Sequence, residues 1–198
     1  MTKYVINSGG LRKNPEKNKL YVAEILKDLG KKPKVLICFF AQKREDWESD
    51  YKDYVDNIQK ILPDNLSPSF DLAFPEKFIK QMGVSDALII PGGDDHLIQY
   101  WLKQFDLKKI WQNKTVAISS ASSDALVKHF WTCDWRQNMD GLGILPFKFI
   151  PHYKSNWGAD DPRGPIDWDK AYSTLENYGD KNLPIYALEE GEFIVIKQ

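Results

Sequence analysis

Apolar positions along this chain fall into continuous runs and helically spaced stripes, and the two kinds alternate. Tyr4-Val5-Ile6, Val35 to Phe40, Ala87 to Ile90 after Asp86, and Thr115 to Ile118 are runs without polar interruption. Such runs fit strands covered on both faces. Val22, Ile25, Leu26 and Leu29 repeat at helical spacing after Asn14-Pro15, an N-cap and first-turn proline, and Gly30 ends that helix. Trp47, Tyr51, Tyr54, Val55, Ile58 and Leu62 mark a second helix, whose aromatic stripe reads as core packing. Ser69 to Phe74 predicts a strand and Pro75 to Met82 a short helix closed by Gly83. Leu97 to Phe105 predicts a helix begun at Asp94 or Asp95.

Ala121 to His129 reads as a helix that follows the 115–118 strand directly. Beyond it, Trp131 to Gly143 is polar and irregular, Ile144 to Ile150 is a strand, and Lys154 to Pro165 is a surface loop. Trp168, Ala171, Tyr172 and Leu175 give a last helix. Pro184 to Leu188 and Phe193 to Ile196 predict a hairpin around Glu189-Glu190-Gly191. Strands alternating with helices predict an α/β three-layer sandwich with a mostly parallel central sheet. No repeat or linker divides the chain, so residues 1–198 are read as one domain.

A formal charge of −1 gives no electrostatic pull toward nucleic acid or an anionic membrane. The longest apolar run, Val35 to Ala41, is far too short to span a bilayer. The opening residues lack the pattern of a signal peptide, and Cys38 and Cys133 make no disulfide framework, so a cytoplasmic setting is expected.

The chemistry concentrates at Ser119-Ser120, where the 115–118 strand turns into a helix with no intervening loop. That is the geometry of a nucleophile elbow, which lifts a hydroxyl above the sheet edge beside the first helical N–H groups. A serine that only caps the helix is the other reading of the same residues. A second strand runs into Gly92-Gly93, so both turns belong at the carboxyl ends of the strands, where such sheets bind ligands. A serine nucleophile needs a base and an acid to orient it. Of the three histidines, His96 and His129 fall within predicted helices, whereas His152 follows a strand and a proline. No histidine pair or Cys-x-x-Cys has metal-ligand spacing, and no phosphate-cradling glycine motif is present.

The order of these motifs resembles the dipeptidase E (peptidase E) family of serine peptidases, related to cyanophycinase and built like class I glutamine amidotransferases. Ser8-Gly9-Gly10 is similar to the family's opening loop, Gly92-Gly93-Asp94-Asp95-His96 to its Gly-Gly-Asn-Thr-Phe, and Ile118-Ser119-Ser120-Ala121-Ser122 to its Gly-x-Ser-Ala-Gly elbow. Thr132-Cys133-Asp134 resembles a Thr-Asn-Asp segment. The run from Gly141 to Tyr153 resembles Gly-Leu-x-x-x-Pro-Phe-x-x-x-Pro-His-Tyr over its whole length.

The resemblance implies Ser120 as nucleophile, His152 as general base and Asp134 as orienting acid, with Asp140 as the alternative acid. It implies an oxyanion hole from the N–H groups of Gly93 and Ala121, and Arg163 as a substrate contact. It implies no cofactor and no metal, and a small peptide as substrate; a homodimer is left open. Ile118 and Ser122 depart from the elbow glycines, Asp94 from an asparagine, and Pro162-Arg163-Gly164 from the family's Gly-Glu-Thr-Arg. A serine peptidase is the reading these residues carry. A non-catalytic relative that binds a ligand or protein partner is the alternative. Glutamine amidotransfer is excluded, because that reaction uses a cysteine where Ser120 stands.

Overall fold

A computed structural model describes all 198 residues. The first half alternates as the apolar pattern predicts: β1 (Lys3–Asn7), α1 (Pro15–Leu26), β2 (Lys34–Ile37), α2 (Trp47–Gln59), β3 (Ser69–Leu72), α3 (Phe78–Val84) and β4 (Ala87–Ile90). Then come α4 (Asp95–Leu102), α5 (Leu107–Ile110), β5 (Thr115–Ser119) and α6 (Ala121–Leu126). Five of these strands and the last one, β10 (Phe193–Lys197), form a sheet in the order β10-β1-β5-β4-β2-β3. Only β10 is antiparallel, running beside β1 from Lys3–Lys197 to Asn7–Phe193.

Ile6, Leu36, Ile37, Leu88, Ile90, Val116 and Ile118 are wholly buried. Strands covered on both faces by helices have no use for a polar side chain in their middle, which is why these segments read as unbroken apolar runs. The architecture is the mixed α/β, mostly parallel class I glutamine amidotransferase-like fold. No helix is long and apolar enough to cross a membrane.

The second half departs from the sequence reading in three places. The helix expected over 121–129 stops at Leu126, and Val127–Thr132 continues as strand β6, so His129 lies on a strand. The chain returns across this point to end the helix: the Leu142 N–H donates to the Ala125 carbonyl and the Gly143 N–H to that of Val127. Gly141 fits there because any side chain would meet the carbonyls of Asp124, Ala125 and Val127. The stretch expected to be irregular forms a hairpin, β6 paired with β7 (Gln137–Asp140). With β8 (Leu145–Ile150) and β9 (Ile185–Ala187) these make a second sheet, β7-β6-β8-β9, with α7 (Trp168–Glu176) packed on β6 and β7.

The expected C-terminal hairpin does not form. β9 pairs in parallel with β8 in the second sheet, and β10 pairs with β1 in the first. Glu189-Glu190-Gly191 is therefore a bridge between the two sheets. Both partner edges had a vacant ladder of backbone groups, and pairing there satisfies more donors and acceptors than an isolated hairpin would.

Candidate active site

At the carboxyl end of β5 the chain turns sharply at Ser120, whose φ of 50° and ψ of −122° lie outside the regions an L-residue ordinarily occupies. Such backbone costs on the order of 1–3 kcal/mol and persists only where its surroundings over-determine it. Here the Ser120 N–H donates to the Asn7 carbonyl at 3.0 Å, and the Ser120 carbonyl accepts from Ser123 and Asp124 at 2.7 and 3.0 Å. Asn7, wholly buried, also accepts from the Gly9 N–H at 2.7 Å and the Ser119 hydroxyl at 3.0 Å through its own side chain. Ser119 is thus turned away into scaffold bonding. Ile118 and Ser122 do not prevent the turn. Ile118 packs as a core residue of β5, and the Ser122 hydroxyl donates to the Pro91 carbonyl at 2.6 Å.

The Ser120 Oγ stands 3.0 Å from Nε2 of His152, and the other ring nitrogen, Nδ1, lies 3.2 Å from Oε1 of Glu190. His152 follows β8, has a positive φ of 54°, and is nearly fully buried. Its backbone N–H donates to the Ser8 hydroxyl at 2.6 Å, and that hydroxyl donates to the Leu188 carbonyl at 2.8 Å. Trp157 stacks on the imidazole with ring centroids 4.0 Å apart. Burial draws the His152 pKa below its usual 6.5, and the hydrogen bond and charge of Glu190 oppose that fall.

Two glycines make room for this pair. A Cβ on Gly9 would come within 2.5 Å of His152 Cε1, and one on Gly10 within 2.7 Å of Glu190 Cβ. Ser8-Gly9-Gly10 is the floor on which the imidazole and the carboxylate rest.

The acid expected by resemblance lies elsewhere. Asp134 is exposed in the β6–β7 turn, and Asp140 is bound to His129 Nδ1 at 2.6 Å on the second sheet. Glu190 takes the position beside His152 because the bridge between β9 and β10 passes directly over Gly10, fixed by the Gly191 N–H donating to the Gly9 carbonyl at 2.7 Å. Arg163 is also displaced. Its guanidinium holds Asp161 at 2.5 Å and the Asp134 carbonyl at 2.8 Å, outside the cleft. Sequence reasoning missed both Glu190 and Trp157. The only signal for Glu190 was the sequence Glu-Glu-Gly, which reads equally well as a hairpin turn.

Three residues with available N–H groups line the cleft together with Ser120. Ala121 is the first helical residue, whose N–H has no acceptor within its helix. Gly92 and Gly93 donate to no acceptor in the protein. Gly92 is the closer to the serine: a Cβ there would sit 3.0 Å from Ser120 Cβ. Gly93 instead packs against Ala41 and Gln42. Asp94 caps α4 by accepting from the Leu97 N–H at 2.8 Å, so its carboxylate is occupied by structure. The ligand atoms of Asp94, Asp95 and His96 lie within 4.8 Å of one another, the one group of side chains that could hold a metal ion.

These groups open on a cleft of about 650 Å³. A hydroxyl, an imidazole and a carboxylate linked in that order, beside unengaged N–H donors, can deprotonate the hydroxyl and hold a developing oxyanion.

The family model described as Peptidase family S51 matches residues 4–198. The fold is similar to that of a peptidase from an acI-B1 Actinobacterium, with a TM-score of 0.65 and 19% identity, covering 100% of this chain and 84% of that one. It is similar also to a candidate peptidase E from Listeria monocytogenes EGD-e, with a TM-score of 0.62 and 14% identity, covering 100% of this chain and 99% of that one. None of the curated proteins matches the chain in sequence.

Proposed function

The chain belongs to peptidase family S51, and on that premise we propose that it is a serine-type peptidase of short peptides, with Ser120, His152 and Glu190 as its triad. His152 Nε2 takes the Ser120 proton as Oγ attacks the scissile carbonyl. The N–H groups of Ala121 and of Gly92 or Gly93 hold the oxyanion. His152 then returns the proton to the leaving amine. Water hydrolyses the acyl-enzyme by the same path in reverse. Glu190 holds the tautomer that leaves Nε2 free to accept, and stabilises the imidazolium that forms. A cleft of about 650 Å³ suits a dipeptide or short peptide rather than a folded chain. Two buried free cysteines suit a reducing, cytoplasmic setting.

The observation that carries the reading is the strained Ser120 backbone together with a 3.0 Å Oγ to Nε2 contact. Strain at one serine that also meets the only buried, carboxylate-backed histidine at the sheet's carboxyl edge has no packing purpose of its own.

A fluorophosphonate probe tests it. Wild type is expected to label, Ser120→Ala to lose labelling, and Ser119→Ala to keep most of it, since the Ser119 hydroxyl bonds Asn7. Folded wild-type protein that resists the probe across a broad pH range overturns the peptidase reading in favour of a binding protein. Labelling lost in Ser119→Ala alone moves the nucleophile by one residue.

A further inference from the structure

Two buried carboxyls line the cleft, and the reaction described above uses neither. Asp124 stands one helical turn beyond Ser120 in α6, is 3% exposed, and lines the cleft. Its Oδ1 has no hydrogen-bond partner. Asp95, the first residue of α4, is 6% exposed and lines the same cleft, its Oδ1 held 2.7 Å from His96 Nδ1. Helices α4 and α6 pack directly on each other, which brings the two carboxyls together. Burial pushes both above the usual carboxylate range; the charges of Asp95 and Asp134 raise Asp124 further, and His96 opposes the rise at Asp95.

Buried carboxylates are ordinarily paired, and an unmade bond on one leaves its full desolvation uncompensated. No lysine or arginine supplies the missing partner. The cleft's two basic side chains, Arg12 and Lys13, enter from the segment after Gly10. Asp50, Asp134 and Glu190 line the cleft as well, so carboxyls outnumber the two basic side chains there.

The direction of the reaction orients the cleft. His152 must hand its proton to the leaving amine, so the leaving residue lies on the His152 side and the acyl residue lies across Ser120, against α6. We propose that Asp124, backed by Asp95, is a subsite for an organic cation, the ammonium or guanidinium of the residue on the acyl side of the scissile bond. The proposal rests on the peptidase reading for its orientation. Ionised one turn from Ser120, this carboxyl would oppose the oxyanion, and burial favours its protonated form until a cation binds beside it. A substrate cation bound to it cancels that opposition, so the charge of the substrate is read in kcat as well as in KM.

The cation has two sources, the α-amino group and a lysine or arginine side chain, and one titration separates them. Peptide binding to the Ser120→Ala protein, measured by calorimetry at pH 8, needs no turnover. The peptides are lysyl-alanine, norleucyl-alanine and glutamyl-alanine, each with a free and an acetylated amino group. A cation is expected to bind at least about tenfold tighter than its uncharged counterpart, the ratio of one buried charged hydrogen bond. Discrimination that survives acetylation assigns the subsite to the side chain, and discrimination that disappears on acetylation assigns it to the α-ammonium.

Asp124→Asn in the same background is expected to bring the ratio close to one, and Asp95→Asn to reduce it partway. The proposal is overturned if acetyl-norleucyl-alanine binds as tightly as lysyl-alanine, if glutamyl-alanine binds tightest, if no peptide binds, or if the ratio survives both substitutions. A protein that keeps the ratio but takes no fluorophosphonate label loses the peptidase reading and keeps the subsite. One that labels without showing the ratio loses the subsite alone.

Discussion

Replacing Gly9 by alanine tests whether the glycine floor places the imidazole. An alanine Cβ would stand 2.5 Å from His152 Cε1, 2.8 Å from Nε2 and 3.2 Å from Ser120 Cβ, where ordinary contact begins at 3.4 Å. The ring must therefore retreat by about 0.9 Å, the difference between 3.4 and 2.5. It has little room, because Trp157 stacks on it at 4.0 Å and Glu190 holds Nδ1 at 3.2 Å. A retreat of that size stretches the 3.0 Å Ser120–His152 contact to about 3.9 Å, beyond hydrogen-bond range. Misplacement of a reacting group by ~1 Å costs roughly 10²-fold in rate. The φ of 106° at position 9 adds backbone strain of about 1–3 kcal/mol, enough to lower Tm by several degrees in a chain of this length. The assay is the second-order rate of fluorophosphonate labelling at neutral pH, with Tm measured in parallel to separate rate from stability. Gly83→Ala is the control, since nothing lies within 4 Å of a Cβ there. Gly9→Ala that labels at the wild-type rate with an unchanged Tm refutes the claim that Gly9 gives the ring its place.

Three further outcomes can be measured. Glu190→Gln is expected to lower labelling and turnover by roughly 10³–10⁴-fold, the penalty of a wrong imidazole tautomer, against less than about tenfold for Asp134→Asn; equal losses would return Asp134 to the triad. Because burial holds the His152 pKa below 6.5 and the neutral ring is the base, wild-type labelling should rise through a midpoint below pH 6.5 and be flat at neutrality, and a midpoint above 7 contradicts the burial argument. Asp124→Asn is expected to raise Tm at neutral pH. The folded state holds the Asp124 proton above the unfolded value of 3.8, so ionisation of the unfolded chain destabilises the wild type as pH rises past 3.8. The gain should vanish near pH 4, and a gain independent of pH would mean that the substituted amide acts through packing.

The parallel sheet, the sharp turn at Ser120 and the histidine after β8 were legible in the chain, because each rests on local rules. A strand buried on both faces must be continuously apolar, and a strand that enters a helix without a loop must turn within one residue. The floor was half legible: Gly9-Gly10 announces a close approach, but not what approaches. Three features could be read only from the tertiary structure. The break at Leu126 depends on Leu142 and Gly143 returning to bond the end of α6, a contact between segments separate in sequence. The loop expected on the surface contributes Trp157 to the imidazole, because its path is set by the elements at its two ends. The carboxylate that contacts His152 was missed for the same reason. Asp134 and Glu190 are both carboxylates near turns, and no local preference says which one reaches His152. That was decided when β9 joined one sheet and β10 the other, since edge strands take whichever vacant ladder the rest of the fold presents, and the five residues between them had to cross above Gly10.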